Sequence, residues 1–251
     1  MCNIERLAIA RSMAEEECSE GGIGTLGEKM LHRTLKFYFE PDPDNHEIEF
    51  CGSVADIKID EGIVEIQTRS FEKLVPKLEK FLPLEKVRVV YPVIERKMIC
   101  RIDEQSGESL PLKKSPKRGR AVDALPEIAR IARFIPEENL SVVLVFLDVT
   151  ETRLLNQKVK VGRQKTSKID AIPDTVNSII ELKNPSDFAA LLPRELPKEF
   201  TSSEFERITR IRAINLHNSL MFLMKIGLLT REKRGGRAYI YSLNPRLFEA
   251  T

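Results

Sequence analysis

Three carboxylates and their neighbours are the residues most able to do chemistry in this sequence: Glu28, after the glycine-rich run Gly21, Gly22 and Gly24; Asp56 in SVADIKI; and Glu65 in IVEIQT. Alternate side chains of a strand share a face, so Asp56 and Lys58 point together, as do Glu65 and Gln67. A tight turn at Asp60-Glu61-Gly62 sets the two acids side by side. Such a carboxylate pocket suits a hard divalent cation, magnesium or manganese, and that cation can activate water and steady the charge on a phosphodiester. His32 lies four residues after Glu28, on the same helical face, where it could contact DNA or the scissile phosphate. Lys29 and Lys36 read as solvated side chains.

The elements that must hold these residues follow from the pattern. A helix is expected over 4–17 and a second over 26–39, ended by Pro41 and Pro43. Strands are expected over 47–50, 53–59 and 63–68. Phe71, Leu74, Val75, Leu78 and Phe81 repeat at helical spacing, with Ser70 as a candidate N-cap. Extended runs over 87–93 and 98–102 follow, then a basic loop over 110–120, a helix over 125–134 and a nearly continuous apolar strand over 141–149. The order implies an α/β fold, a mixed sheet flanked by helices, over 1–152. Residues 153–199 read as a basic connecting region containing a strand-like stretch at 178–182.

The order of helix Glu, hairpin Asp, then Glu-x-Gln on the next strand resembles the PD-(D/E)XK nuclease superfamily over residues 21–93, which implies a restriction-endonuclease-like core. The resemblance makes Asp56 and Glu65 the metal ligands. Glu28 would assist through the metal or a water, and residue 67 would orient or help deprotonate the attacking water. Position 67 is Gln where most members carry Lys. An amide can hold a water in line but cannot ionise. Lys58, on the Asp56 face, is the expected source of the missing cation.

Residues 200–251 read as a separate, smaller unit. Thr201 with Glu204, or Ser203 with Glu206, offers a capping box for a short helix over 203–209. A longer helix over 213–226 carries an apolar stripe of Leu216, Leu220, Leu223 and Met224, with Gly227 as its C-cap glycine. Two strands, 228–232 and 237–243, flank the turn Lys233-Arg234-Gly235-Gly236. This unit resembles a winged helix-turn-helix domain. The resemblance places Arg212, Asn215, His217, Asn218 and Ser219 nearest to DNA, with Arg231, Lys233, Arg234 and Arg237 on the wing.

Charge distribution agrees with a nucleic-acid partner. The net charge is only +2 over 251 residues, but 158–168 holds five bases and no acid, and 201–251 holds nine Lys or Arg against four Glu. Scattered Cys2, Cys18, Cys51 and Cys100 make no CxxC pair and read as reduced thiols. The sequence offers no apolar stretch of membrane-spanning length and no secretory signal, so a cytoplasmic protein is expected. The expected activity is a metal-dependent DNA endonuclease, acting alone, as a homodimer or with a partner subunit. The alternative is an inactive nuclease-fold DNA-binding regulator, or a subunit of a larger nucleic-acid-processing complex.

Overall fold

A computed structural model describes residues 3–20, 30–156, 165–233 and 239–248. Its main body is a mixed seven-stranded sheet of β1 (His46–Phe50), β2 (Ser53–Ile59), β3 (Gly62–Ile66), β4 (Val87–Asp103), β6 (Leu140–Asn156) and β7 (Lys165–Leu182) in that order, with β5 (Ser109–Lys114) paired to β4. Strands β1 (His46–Phe50), β2 (Ser53–Ile59) and β3 (Gly62–Ile66) form an antiparallel meander. Gly62 makes the β2–β3 turn at φ +132°, and a Cβ there would overlap the carbonyl oxygen of Lys86, so glycine is required on both counts.

Beyond β3 the chain crosses over and runs parallel. β4 (Val87–Asp103) pairs with β3 through Ile63↔Val87 to Ile66↔Val90 and with β6 (Leu140–Asn156) along its whole length. Crossover residues Phe71, Leu74, Leu78 and Phe81 bury one face of a 3-10 turn (Phe71–Leu74) and of α3 (Val75–Phe81) against the sheet. Burying each such side chain contributes roughly 1.5–3 kcal/mol. Ser70 precedes the turn but makes no side-chain cap; the Phe71 N–H donates to Glu127 Oε2 instead, at 3.0 Å.

Two apolar layers cover the sheet. On one face, Leu7, Ala10 and Ala14 of α1 (Asn3–Glu20) and Leu31 and Leu35 of α2 (Met30–Phe39) pack with Ile57, Val64, Ile66, Val90, Val143, Val145 and Val149. On the other, α3, α4 (Leu125–Ile128) and the 3-10 turns on either side of it pack with Ile63, Val87, Val89, Val142 and Leu144. Lys36 is buried rather than solvated, and its ammonium meets Glu47 at 2.7 Å.

Two expectations are corrected. The basic stretch 110–120 is not all loop, because β5 (Ser109–Lys114) pairs antiparallel with the outer half of β4. Residues 153–199 are not a connector: β6 continues to Asn156, and β7 (Lys165–Leu182) pairs with it from Val142↔Leu182 to Asn156↔Lys165. Phe188, Leu191 and Leu196 then enter the core. Part of the basic stretch 158–168, residues 158–164, lies outside the described residues.

The C-terminal unit has a small separate sheet, β8 (Glu199–Thr201), β10 (Tyr239–Leu243) and β9 (Leu229–Lys233) in that order. Helices α5 (Ser202–Thr209) and α6 (Ala213–Lys225) lie between β8 and β9 in the chain. The Thr201–Glu204 capping box forms, with the Glu204 N–H donating to Thr201 Oγ1 at 3.2 Å and the Thr201 N–H to Glu204 Oε2 at 2.7 Å. This unit shares the main core. Phe222 meets Phe188 edge-on at 5.6 Å, Lys225 Nζ donates to the Ala132 carbonyl, and Arg120 donates to the carbonyls of Ile208 and Thr209 at the end of α5. Among the described residues no helix is long and apolar enough to cross a membrane.

Candidate active site

The β2–β3 ladder ends at Ile57↔Val64, and above it side chains take over from backbone partners. The Ile66 N–H donates to Asp56 Oδ2 at 2.7 Å, and the Asp56 N–H approaches Glu65 Oε1 at 3.4 Å. The splayed strands therefore hold the two carboxylates between them. Glu65 is 1% exposed.

Helices from both faces of the sheet converge on this pair. From α3, Lys77 Nζ donates to Glu65 Oε2 at 2.7 Å and Oε1 at 3.0 Å, and lies 3.6 Å from Asp56 Oδ1. From α2, His32 Nε2 lies 3.3 Å from Asp56 Oδ2. Gln67 follows on the same segment; its N–H bonds to the Val90 carbonyl and its side-chain amide donates to the Ser70 carbonyl at 2.6 Å. That bond fixes the amide at the head of the turn leading to α3.

The electrostatics divide the labour between the acids. Burial pushes the Asp56 carboxyl up, but His32, Lys77 and the Ile66 N–H together outweigh it and hold the group below its ordinary value. Burial, reinforced by the adjacent Asp56 charge, pushes Glu65 up to about 7 despite Lys77. Burial opposes the charge on Lys77, and the two carboxylates reverse that and raise its pKa. Asp56 therefore ionises first, and Glu65 takes up its proton near neutrality beside an Asp56 that is already charged.

Lys58 does not join the site. Its ammonium pairs with Glu85 at 3.1 Å and sits over the Phe50 ring. The sequence reading missed Lys77, whose place on the polar side of an amphipathic helix resembles that of any solvated lysine. Its one signal was that α3 is the crossover leaving β3, so its first turn must pass over the end of that strand. Glu28 lies outside the described residues. Among the described residues no ready-made group of three metal-ligating side chains exists; Asp56 and Glu65 carry hard oxygen donors, and Lys77 pairs with both.

Past the end of β3, which stops opposite Val90, and before β5 begins opposite Met98, one edge of β4 pairs with no strand among the described residues. A cleft opens there, lined by Thr68, Tyr91, Ile94, Lys97, Lys117 and Gly119 among others. The Gly119 N–H bonds to the Ile94 carbonyl at 2.7 Å, holding the basic segment 115–120 against the strand. Crevices at the carboxyl ends of parallel strands are where α/β sheets commonly take ligands.

On the C-terminal unit, Arg212, His217 and Asn218 are exposed on or just before α6, and Asn215 is half-buried. Ser219 is not at the surface: it is fully buried on the stripe with Leu220 and Leu223, and its hydroxyl has no hydrogen-bond partner among the described residues. The exposed face of α6 also carries Ile214 and Met221. Arg231 stacks on the Tyr239 ring at 4.3 Å, and Lys233 is exposed at the end of β9. Arg234 and Arg237 lie outside the described residues.

Residues 29–183 match the family described as Domain of unknown function (DUF8091). The chain is also 31% identical over 224 residues to an uncharacterized protein of Treponema pallidum (strain Nichols), covering 89% of this chain and 88% of the relative. No solved structure matches. The chain belongs to the DUF8091 family.

Proposed function

We propose that this DUF8091 member is a metal-dependent DNA endonuclease of the PD-(D/E)XK type, with a C-terminal winged-helix unit that engages the duplex. The observation that carries the reading is Lys77, which brings to the Asp56–Glu65 pair the ammonium that Gln67 cannot supply. The matched strand-acid pattern and the parallel strand beyond it support the same reading.

Asp56 and Glu65 would hold magnesium or manganese, since paired carboxylate oxygens suit hard cations. A bound divalent cation supplies Lewis acidity toward the phosphoryl oxygen and a more acidic water. The chain's own groups do the rest. Lys77, protonated, donates hydrogen bonds to the attacking water or to a non-bridging oxygen and stabilises charge developing there. Gln67, tied to Ser70, keeps the start of α3, and so Lys77, at a fixed distance from β3. His32 holds Asp56 in one rotamer and raises its share of negative charge. Glu28 would complete the set from the segment before α2. Water attacks phosphorus and the bond to the leaving oxygen breaks; the proton lost by water passes to solvent or to a carboxylate of the pair, and the leaving oxygen takes one from solvent.

The second reading, an inactive nuclease-fold regulator, draws on the same contact: Lys77 pairs with both carboxylates and could serve only the fold. Incubating supercoiled and linear DNA with magnesium or manganese, beside Lys77→Met and Asp56→Asn, separates the two. Cleavage by the wild type that both variants lose supports the nuclease. Intact DNA with every preparation, bound tightly but never cut, supports the regulator.

A further inference from the structure

The outer halves of β4, β6 and β7 run on past the end of β3 and carry a second charged cluster that the carboxylate site does not use. At its centre is Glu151, 2% exposed. Its Oε1 accepts from Arg153 Nε at 2.6 Å, and its Oε2 lies 2.8 Å from Lys97 Nζ and 3.5 Å from Lys168 Nζ. These come from three adjacent strands. A fourth cation stands beside them: Arg101 is the cross-strand partner of Arg153, and its buried Nε has no hydrogen-bond partner among the described residues.

The arrangement holds more positive charge than its carboxylate needs. One base would neutralise Glu151, and directly opposed like charges such as Arg101 and Arg153 destabilise a sheet. Burial raises the Glu151 pKa, but its basic neighbours overcome this and pull it down to about 2, so the anion stays fixed beneath them. Lys97, Arg153 and Lys168 remain 25%, 33% and 38% exposed at their side chains, so their outer edges face solvent. Fixed guanidinium and ammonium groups on strands, with one Nε unsatisfied, form a preorganised anion site.

The cluster is tied to the carboxylate site through α2. Glu151 pairs with Ala171 on β7, and the adjoining Asp170 carboxylate accepts from the Met30 N–H at 3.2 Å, two residues before His32, which contacts Asp56. We propose that Lys97, Arg101, Arg153 and Lys168 bind backbone phosphates of duplex DNA flanking the scissile one, with Glu151 as their positioning residue. This rests on the nuclease reading for its ligand.

The test is the salt dependence of binding to a labelled duplex, followed by fluorescence anisotropy in EDTA so that no cleavage intervenes. Lys97→Gln/Lys168→Gln and, separately, Lys168→Gln and Arg101→Gln are compared with wild type, each checked by thermal melting. The double variant is expected to have a shallower slope of log affinity against log salt, by about 1.8, and about tenfold or greater loss of affinity at moderate salt. Lys168→Gln and Arg101→Gln are each expected to lower the slope by about 0.9. Unchanged slopes in folded variants would show an ion network serving the sheet alone and overturn the proposal while leaving the nuclease reading intact. A wild type that binds no duplex even at low salt would overturn both.

Discussion

The backbone N–H of Ile66 is satisfied by the side chain of Asp56, at 2.7 Å, where a strand carbonyl would ordinarily accept. Asp56 is therefore a structural residue as well as a candidate ligand. Removing its carboxylate leaves a buried donor without a partner, a loss of about 1–3 kcal/mol. Asp56→Asn keeps an acceptor of the same shape. We expect Asp56→Ala to melt several degrees below Asp56→Asn, with cleavage abolished in both. Equal melting temperatures would show that water replaces the carboxylate at Ile66.

Lys77 is expected to matter to rate more than to fold. Lys77→Met keeps the aliphatic stem and removes the charge, and cleavage should fall at least a hundredfold, on the order seen when a charge-stabilising donor is removed. Lys58→Met, which removes the contacts with Glu85 and the Phe50 ring, should leave cleavage within about threefold, because that ammonium pairs with Glu85 and not with the Asp56–Glu65 carboxylates. Comparable losses in both variants would move the functional cation away from α3.

Glu151 should make the acid stability of the protein steeper. Its folded pKa, about 2, lies below the ordinary 4.5. The associated stability is fully present above about 4.5 and disappears as pH falls toward 2. After allowance for solvent screening of its partly exposed partners, it is on the order of 1–2 kcal/mol. Urea titrations of Glu151→Gln and wild type should show a gap at pH 7 that narrows below about pH 4. A gap constant with pH would mean that the glutamine disturbs packing rather than charge.

At Gly119, a Cβ would overlap the Ile94 carbonyl that the same residue's N–H bonds. Gly119→Ala is expected to push the 115–120 segment off β4 at a cost of about 1–3 kcal/mol. Hydrogen exchange at the Gly119 and Ser115 amides, whose acceptors are Ile94 and Lys97, should rise together. Protection retained at both would show that the segment is held from elsewhere.

The hairpin carrying Asp56 and Glu65 was legible in sequence because alternation and the Gly62 turn fix register and face together. The helices of the C-terminal unit were legible for a similar reason: cap residues and an apolar stripe coincide. What escaped were partners brought in from another element. Lys77 reaches the carboxylates only because the crossover folds back over β3, which no local spacing encodes. β7 was concealed by Pro173 and by few apolar residues in its outer half. Both suit an edge strand, where a missing N–H costs little and one face meets water. Pro111 in β5 is tolerated for the same reason. Ser219 was misplaced because its polar side chain suggested solvent, although its position between Leu216 and Leu223 put it on the buried stripe.

The continuity of the core from Phe188 into Phe222 has a bearing on how the C-terminal unit can be inherited or engineered. A module joined through a flexible tether can be exchanged, deleted or fused elsewhere with little harm to its neighbour. Here the inner face of α6 completes the wall that the turns over 121–131 would otherwise present to water, and Arg120 bonds across the junction. Cutting the chain before Glu199 would open an apolar surface on what remains, so the unit is better altered in place, on the outer face of α6, than swapped whole.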